Sequence, residues 1–151
     1  MENSPVRIAP KLTLVGAKLA LEAAEKKAQE IGQPMDIAVV DDGGNLVAFS
    51  RMDGARITSI DIAINKAFTA AGARRPTGDY AEIAGPGKPA FGIHASNQGR
   101  FTIFGGGLPI VWEGEVIGAV GCSSGSVEQD TQVAQAGVDA VLDALRSQKT
   151  S

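Results

Sequence analysis

A chain of 151 residues, 44% hydrophobic and 21% charged, suits one domain with a real core and excludes a wholly disordered polymer. A net charge of −3 and a pI near 5.1 exclude the basic face that nucleic-acid binders need. The single cysteine, Cys122, excludes an internal disulfide, and no apolar stretch reaches the ~20 residues of a membrane span.

The segment Met1-Glu2-Asn3-Ser4-Pro5 lacks the basic start and apolar run of a secretory signal. Together with the lone thiol, this predicts a cytoplasmic protein. Residues 1–10 are expected to form a loose arm, and residues 11–147 a single domain.

A first helix is expected from about residue 11 to residue 31. Its apolar stripe, Leu14, Ala17, Leu21, Ala24, Ala28 and Ile31, alternates spacings of three and four. Leu12, Val15 and Leu19 lie off the stripe, which predicts a first half buried on two sides. Gly32 and Pro34 stop the helix. Residues 35–40 and 46–52 read as strands of an antiparallel hairpin around Asp41-Asp42-Gly43-Gly44-Asn45. Ser59 is the expected cap of a second helix, whose stripe Ile60, Ala63, Ile64, Ala67, Phe68 and Ala71 ends at Gly72.

Residues 73–100 are irregular, with a helical turn expected at 77–83. Loops this long are usually functional or disordered. Strands are expected at 100–104, 108–112 and 115–122, the last two joined by Glu113-Gly114. Ser126 and Gln129 form a capping box for a last helix that buries Val133, Ala134, Val138, Val141, Leu142 and Leu145. The expected fold is α+β, with helices packed on a five-stranded, mostly antiparallel sheet.

Several residues carry candidate chemistry. His94 is the only histidine and sits in the long loop, where it is either a base or ligand or a locally bonded surface group. Cys122 precedes a helix N-terminus, which lowers a thiol pKa, although cysteine is also a common core residue. Arg51 has the fork that clamps a carboxylate. Asp53 belongs to an Asp-Gly turn, and Lys66 to a helix face. Asp79 and Glu82, three apart, either face a cation together or form a wet surface.

Two glycine-rich runs complete the set. Gly105-Gly106-Gly107 precedes one strand of the last hairpin, and Gly121 to Gly125 follows the other. They are expected to meet at one end of the sheet, beside the amides of the last helix. Gly105, Gly106, Gly107, Gly121, Ser123, Lys66 and Arg100 are therefore candidate ligand-binding residues. Replacing Gly106 by Val is expected to block a ligand while leaving the core alone.

Three segments together carry a resemblance. They are Val39 to Ala55, Lys66-Ala67-Phe68-Thr69-Ala70, and Gly105-Gly106-Gly107-Leu108-Pro109-Ile110 with Gly118-Ala119-Val120-Gly121. This pattern resembles the GlcG/HbpS family, which includes the C-terminal domain of PduO-type proteins. The resemblance implies a profilin-like α-β-α sandwich, a homo-oligomer and, in several members, haem binding. The chain departs from the family pattern at Cys122-Ser123-Ser124-Gly125, where a Val-Ser-Gly-Gly-like run is common. It departs again at His94, where an uncharged residue such as Gln is expected.

The resemblance favours a small-ligand-binding protein for haem or a related tetrapyrrole. The alternative is a cofactor-independent lyase, isomerase or hydratase for a small organic acid. Its catalytic candidates are His94, Cys122, Arg51 and Asp53, with no metal. A third reading is an oligomeric accessory protein without a ligand. An aromatic content of only 5% weighs against haem.

Overall fold

Thr13 caps the first helix, and the described residues before it form neither helix nor strand. A computed structural model describes residues 3–150 of the chain. Helix α1 spans Leu14–Ile31, with the Thr13 side chain accepting from the Gly16 amide and Gly32 closing the end in the left-handed region at φ 70°. The helix starts three residues later than expected because Thr13 takes extended dihedrals as its N-cap, and the Leu12 N–H donates instead to the Ile117 carbonyl at 3.2 Å.

The expected arm is fastened along its described part. Arg7 pairs with Glu115, and Lys11 Nζ lies 3.0 Å from an Asp42 oxygen. Met1 and Glu2 fall outside the described residues. Burial on α1 follows one stripe only, Ala17, Ala20, Ala24 and Ala28. Val15 is 71% exposed, which corrects the expectation of a doubly buried first half.

Strands β1 (Asp36–Asp41) and β2 (Leu46–Arg51) form the expected hairpin. Asp41 Oδ1 ties its turn by accepting from the amides of Gly43 and Asn45, both at 2.9 Å. Helix α2 covers Thr58–Ala73. Ser59 does not cap it. The helix begins one residue earlier, and Ser59 is buried inside it, accepting from Ser123 Oγ at 3.0 Å. Gly72 does not end it either, because Arg74 closes it in the left-handed region at φ 62°. A turn of 3-10 helix at Thr77–Asp79 leads into the short helix α3, Tyr80–Ile83, close to the expected 77–83.

Strands β3 (Gly107–Trp112) and β4 (Glu115–Ser123) pair through Glu113 and Gly114, both at positive φ as a two-residue I′ turn requires. The sheet has four strands in the order β2-β1-β4-β3, all antiparallel, not the expected five. Residues 100–104 are not a strand because their backbone bonds go to a helix. The Thr102 amide donates to Thr69 Oγ1 of α2 at 2.9 Å, so the segment lies across α2.

The last helix, α4, spans Val127–Thr150. Its capping box is complete: Ser126 N–H donates to Gln129 Oε1 at 2.9 Å and Gln129 N–H to Ser126 Oγ at 3.1 Å, an arrangement worth about 1 kcal/mol. Helices α1 and α4 cover one face of the sheet over Met35, Ile37, Val39, Val120 and Cys122. Helix α2 covers the other over Ala38, Val40 and Ala119. The result is a three-layer α/β/α sandwich. No described helix is long and apolar enough to cross a membrane.

Candidate functional site

The first half of α2 and the segment ending at Phe104 enclose a groove of about 350 Å³. Asp61, Ile62 and Asn65 line it from α2, at spacings that put them on one helix face. His94, Phe101, Thr102, Ile103 and Phe104 line it from the loop. The loop is fixed from below. Thr69, one turn beyond Asn65, holds the Thr102 amide, and Tyr80 packs edge-on against Phe101 with ring centroids 4.8 Å apart. Two of the five phenylalanines therefore stand in this one groove. His94 is exposed at its edge, its ring tilted against Phe91 at 5.8 Å.

Beneath Phe104 lies a buried ion pair. Lys66 Nζ sits 4.9 Å from the Phe104 ring centre, 2.7 Å from Asp130 Oδ2 and 2.9 Å from the Cys122 carbonyl oxygen. Asp130 Oδ1 accepts the Gly125 amide at 2.9 Å. Burial pushes the Asp130 carboxyl above its ordinary value, while Lys66 and that amide pull it back. The anion expected at the start of α4 is thus supplied by the chain itself.

The two glycine runs do meet. Gly107 faces Gly121 across the β3–β4 ladder, and the Cys122 amide donates to the Gly106 carbonyl at 2.9 Å. They meet for packing. A Cβ on Gly107 would collide with the Lys66 carbonyl, one on Gly121 with the Ala63 carbonyl, and one on Gly105 would fall 2.6 Å from Val127 Cγ1. At Gly106, with φ 124°, it would fall 2.7 Å from Lys66 Nζ. Gly106→Val would therefore strike the buried ion pair, contrary to the expectation that the core is spared.

The four candidate catalytic residues are not brought together. Cys122 is fully buried against α1 and α4, and burial raises its thiol pKa above the ordinary value, which disfavours the thiolate. Arg51 is exposed at the end of β2 opposite Asp36, and Asp53 is exposed in the turn before Gly54. Neither lines the groove that His94 lines. Ser123 is buried and bonded to Ser59. Asp79 accepts from Arg75 Nε at 3.2 Å, and no group of three metal-binding side chains forms among the described residues.

Arg100 does stand next to the groove, its Nε 3.3 Å from Asn65 Oδ1. Phe101, Phe104, Asn65 and Asp130 were not among the sequence candidates. The helical spacing of Asp61, Asn65 and Thr69 off the core stripe was the available signal for Asn65. Nothing local marked the two phenylalanines.

This α/β/α sandwich, with a loop laid over α2 and glycines at the sheet–helix contacts, defines a recognisable class. The chain belongs to the HbpS-like family, described as haem degrading protein HbpS-like, which matches residues 12–139. An uncharacterised 15.0 kDa protein of Citrobacter freundii, from the dhaT-dhaS intergenic region, is 47% identical over 128 residues, 85% of this chain and 90% of that protein. The crystal structure of Klebsiella pneumoniae protein ORFY superimposes with a TM-score of 0.90 at 40% identity, covering 92% of this chain and 96% of that one. The crystal structure of a PduOC:haem complex superimposes at 0.83 with 32% identity, covering 87% and 95%. The GlcG/HbpS resemblance is thereby borne out.

Proposed function

We propose that this protein binds haem or a closely related tetrapyrrole in the groove between α2 and the loop ending at Phe104. The carrying observation is the pairing of an apolar wall, Ile62, Phe101, Ile103 and Phe104, with the chain's one imidazole at its edge. A porphyrin needs an apolar surface for its ring and a donor for its iron, and His94 is a suitable axial ligand. The family description and the haem complex of a relative support the same ligand class. Titration of wild type with haemin is expected to give a Soret band that shifts in His94→Ala. An absent band would overturn the binding reading, and identical spectra would overturn the role of His94.

The protein acts as a homo-oligomer in this reading. Leu14, Val15 and Leu19 leave an apolar face on α1, and Val6 and Ile8 of the arm are uncovered as well. Beside this face, Leu12, Ile117, Val141 and Leu145 line an apolar hollow of about 220 Å³. Apolar surface gathered in one region is the mark of an interface, and a second copy carries a matching one. Light scattering is expected to give a multiple of the 15.5 kDa chain mass, and Val15→Glu is expected to lower it. A wild-type monomer at micromolar concentration would overturn it.

A further inference from the structure

Arg100 is held by one ring and one side-chain hydrogen bond. Its guanidinium carbon lies 3.8 Å from the centre of the Phe68 ring, a cation–π contact. Its Nε donates to Asn65 Oδ1 at 3.3 Å, and Asn65 Nδ2 in turn donates to Asp61 Oδ2 at 3.3 Å. Both Asn65 and Asp61 line the groove. Among the described residues no carboxylate forms an ion pair with Arg100. The guanidinium is therefore oriented through one nitrogen, with no counter-charge of its own.

The backbone ahead of it is strained toward the same end. Asn97, Gln98 and Gly99 have φ of 53°, 60° and 77°, three left-handed residues in succession, two of them with side chains. Single left-handed residues are routine and runs are not, because each Cβ crowds the following carbonyl. Strain of this kind persists where surrounding bonds over-determine it, and it concentrates at ligand clamps. Here the bonds are visible: Gly99 N–H to the Ser96 carbonyl at 3.0 Å, Arg100 N–H to the Asn97 carbonyl at 3.1 Å, and Thr102 N–H to Thr69 Oγ1. Arg100 does not itself line the groove but stands at its border, following Gly99, preceding Phe101 and bonded to Asn65, all three of which line it.

We propose that Arg100 is the carboxylate anchor of this groove, so that the site selects flat apolar ligands bearing an acid group and discriminates against their esters. A guanidinium held through Nε, with its terminal N–H groups bonded to no described residue, matches a carboxylate in two parallel bonds, which a lysine cannot do. The negative charge of Asp61 is set back from this anchor by Asn65, which accepts from Arg100 and donates to Asp61. The proposal rests on the groove being the tetrapyrrole site.

The test compares haemin with its dimethyl ester, which keeps the ring and iron but has no carboxylates. Wild type is expected to bind haemin about tenfold more tightly than the diester, the worth of one charge-assisted pair. Arg100→Gln is expected to bind both with the diester's affinity and an unchanged Soret maximum, and Arg100→Lys to fall between. Circular dichroism checks that each variant is folded. Equal binding of acid and ester by wild type overturns the anchor and leaves the groove reading standing. A preference that survives in Arg100→Gln, or an equal loss for both ligands, overturns it too. If wild type binds neither porphyrin, the groove reading fails, and the anchor with it.

Discussion

Lys66 Nζ donates to Asp130 Oδ2 across 2.7 Å in a place where the two side chains are 0% and 4% exposed. The pair joins α2 to α4, helices on opposite faces of the sheet, past the point where β3 begins. Gly106 is the residue beside it, since a Cβ there would lie 2.7 Å from Lys66 Nζ and 2.9 Å from Asp130 Cβ. The absence of a side chain at Gly106 lets one helix layer reach the other around the sheet.

Removing one partner of that pair leaves the other charged and buried. Lys66→Met is expected to cost about 3–5 kcal/mol in urea denaturation. Adding Asp130→Asn keeps an acceptor for the Gly125 amide and removes the stranded charge. The double variant is expected to recover most of the loss. A double variant as unstable as Lys66→Met would show that the pair matters through packing of the lysine stem.

Asp36 gives a pH dependence of definite sign. Its side chain is fully buried, Oδ2 accepts from Ser124 Oγ at 2.7 Å, and Oδ1 has no partner. Burial raises its pKa above 3.8, with Ser124 and Arg51 opposing. The folded state therefore holds this proton more tightly than the unfolded chain. The group's contribution to stability falls as pH rises from the unfolded carboxyl value through the raised folded one. Asp36→Asn is expected to gain stability at neutral pH and change little in acid, read as thermal midpoints across that range. A loss at neutral pH would show that the carboxylate is compensated.

Lys66 and Cys122 show what the sequence makes legible. The strands beside them, both hairpins and the capping box at Ser126 follow from local chemistry, namely period-two apolar runs, turn residues and a side chain three positions from its partner. Lys66 carried a signal too, since it sits three after Ala63 and four before Ala70 on the buried face of α2. Its partner, 64 residues away, carried none. Cys122 alternates along β4 toward the α1–α4 face, but alternation alone does not say which face is deeper. Residues 100–104 misled because their β-branched and aromatic content suits a strand, while Thr69 of another element captured their backbone. The groove is made of that same non-local contact, so its phenylalanines had no local mark.

The burial of Cys122 predicts an inert thiol. At about pH 8 an accessible thiolate attacks a disulfide probe and expels the probe's other sulfur as a thiolate. Cys122 is expected to stay unlabelled in the native protein and to react fully once urea unfolds it. The labelling rate then reports opening of the α1–α4 layer. Fast native labelling would restore it as a candidate nucleophile.

Gly121 is the sharpest test of the reading that the glycines serve packing. It stands opposite Gly107 in the ladder and faces α2, where a Cβ would meet the Ala63 carbonyl, the Ala67 amide at 2.5 Å and the Ala67 Cβ at 3.0 Å. Two of those three atoms are backbone, so no rotamer change relieves the clash, and α2 must move off the sheet. Gly121→Ala is expected to destabilise the fold by about 1–3 kcal/mol or more, the usual cost of overpacking a filled core. The displaced helix carries Asp61, Ile62 and Asn65, so ligand affinity is expected to fall with it. Gly114→Ala is the contrast, since a Cβ there has open space and only the strain of φ 78°. It is expected to cost about 1 kcal/mol and leave binding unchanged. Should Gly121→Ala keep full stability and lose only ligand binding, Gly121 would be a binding residue after all.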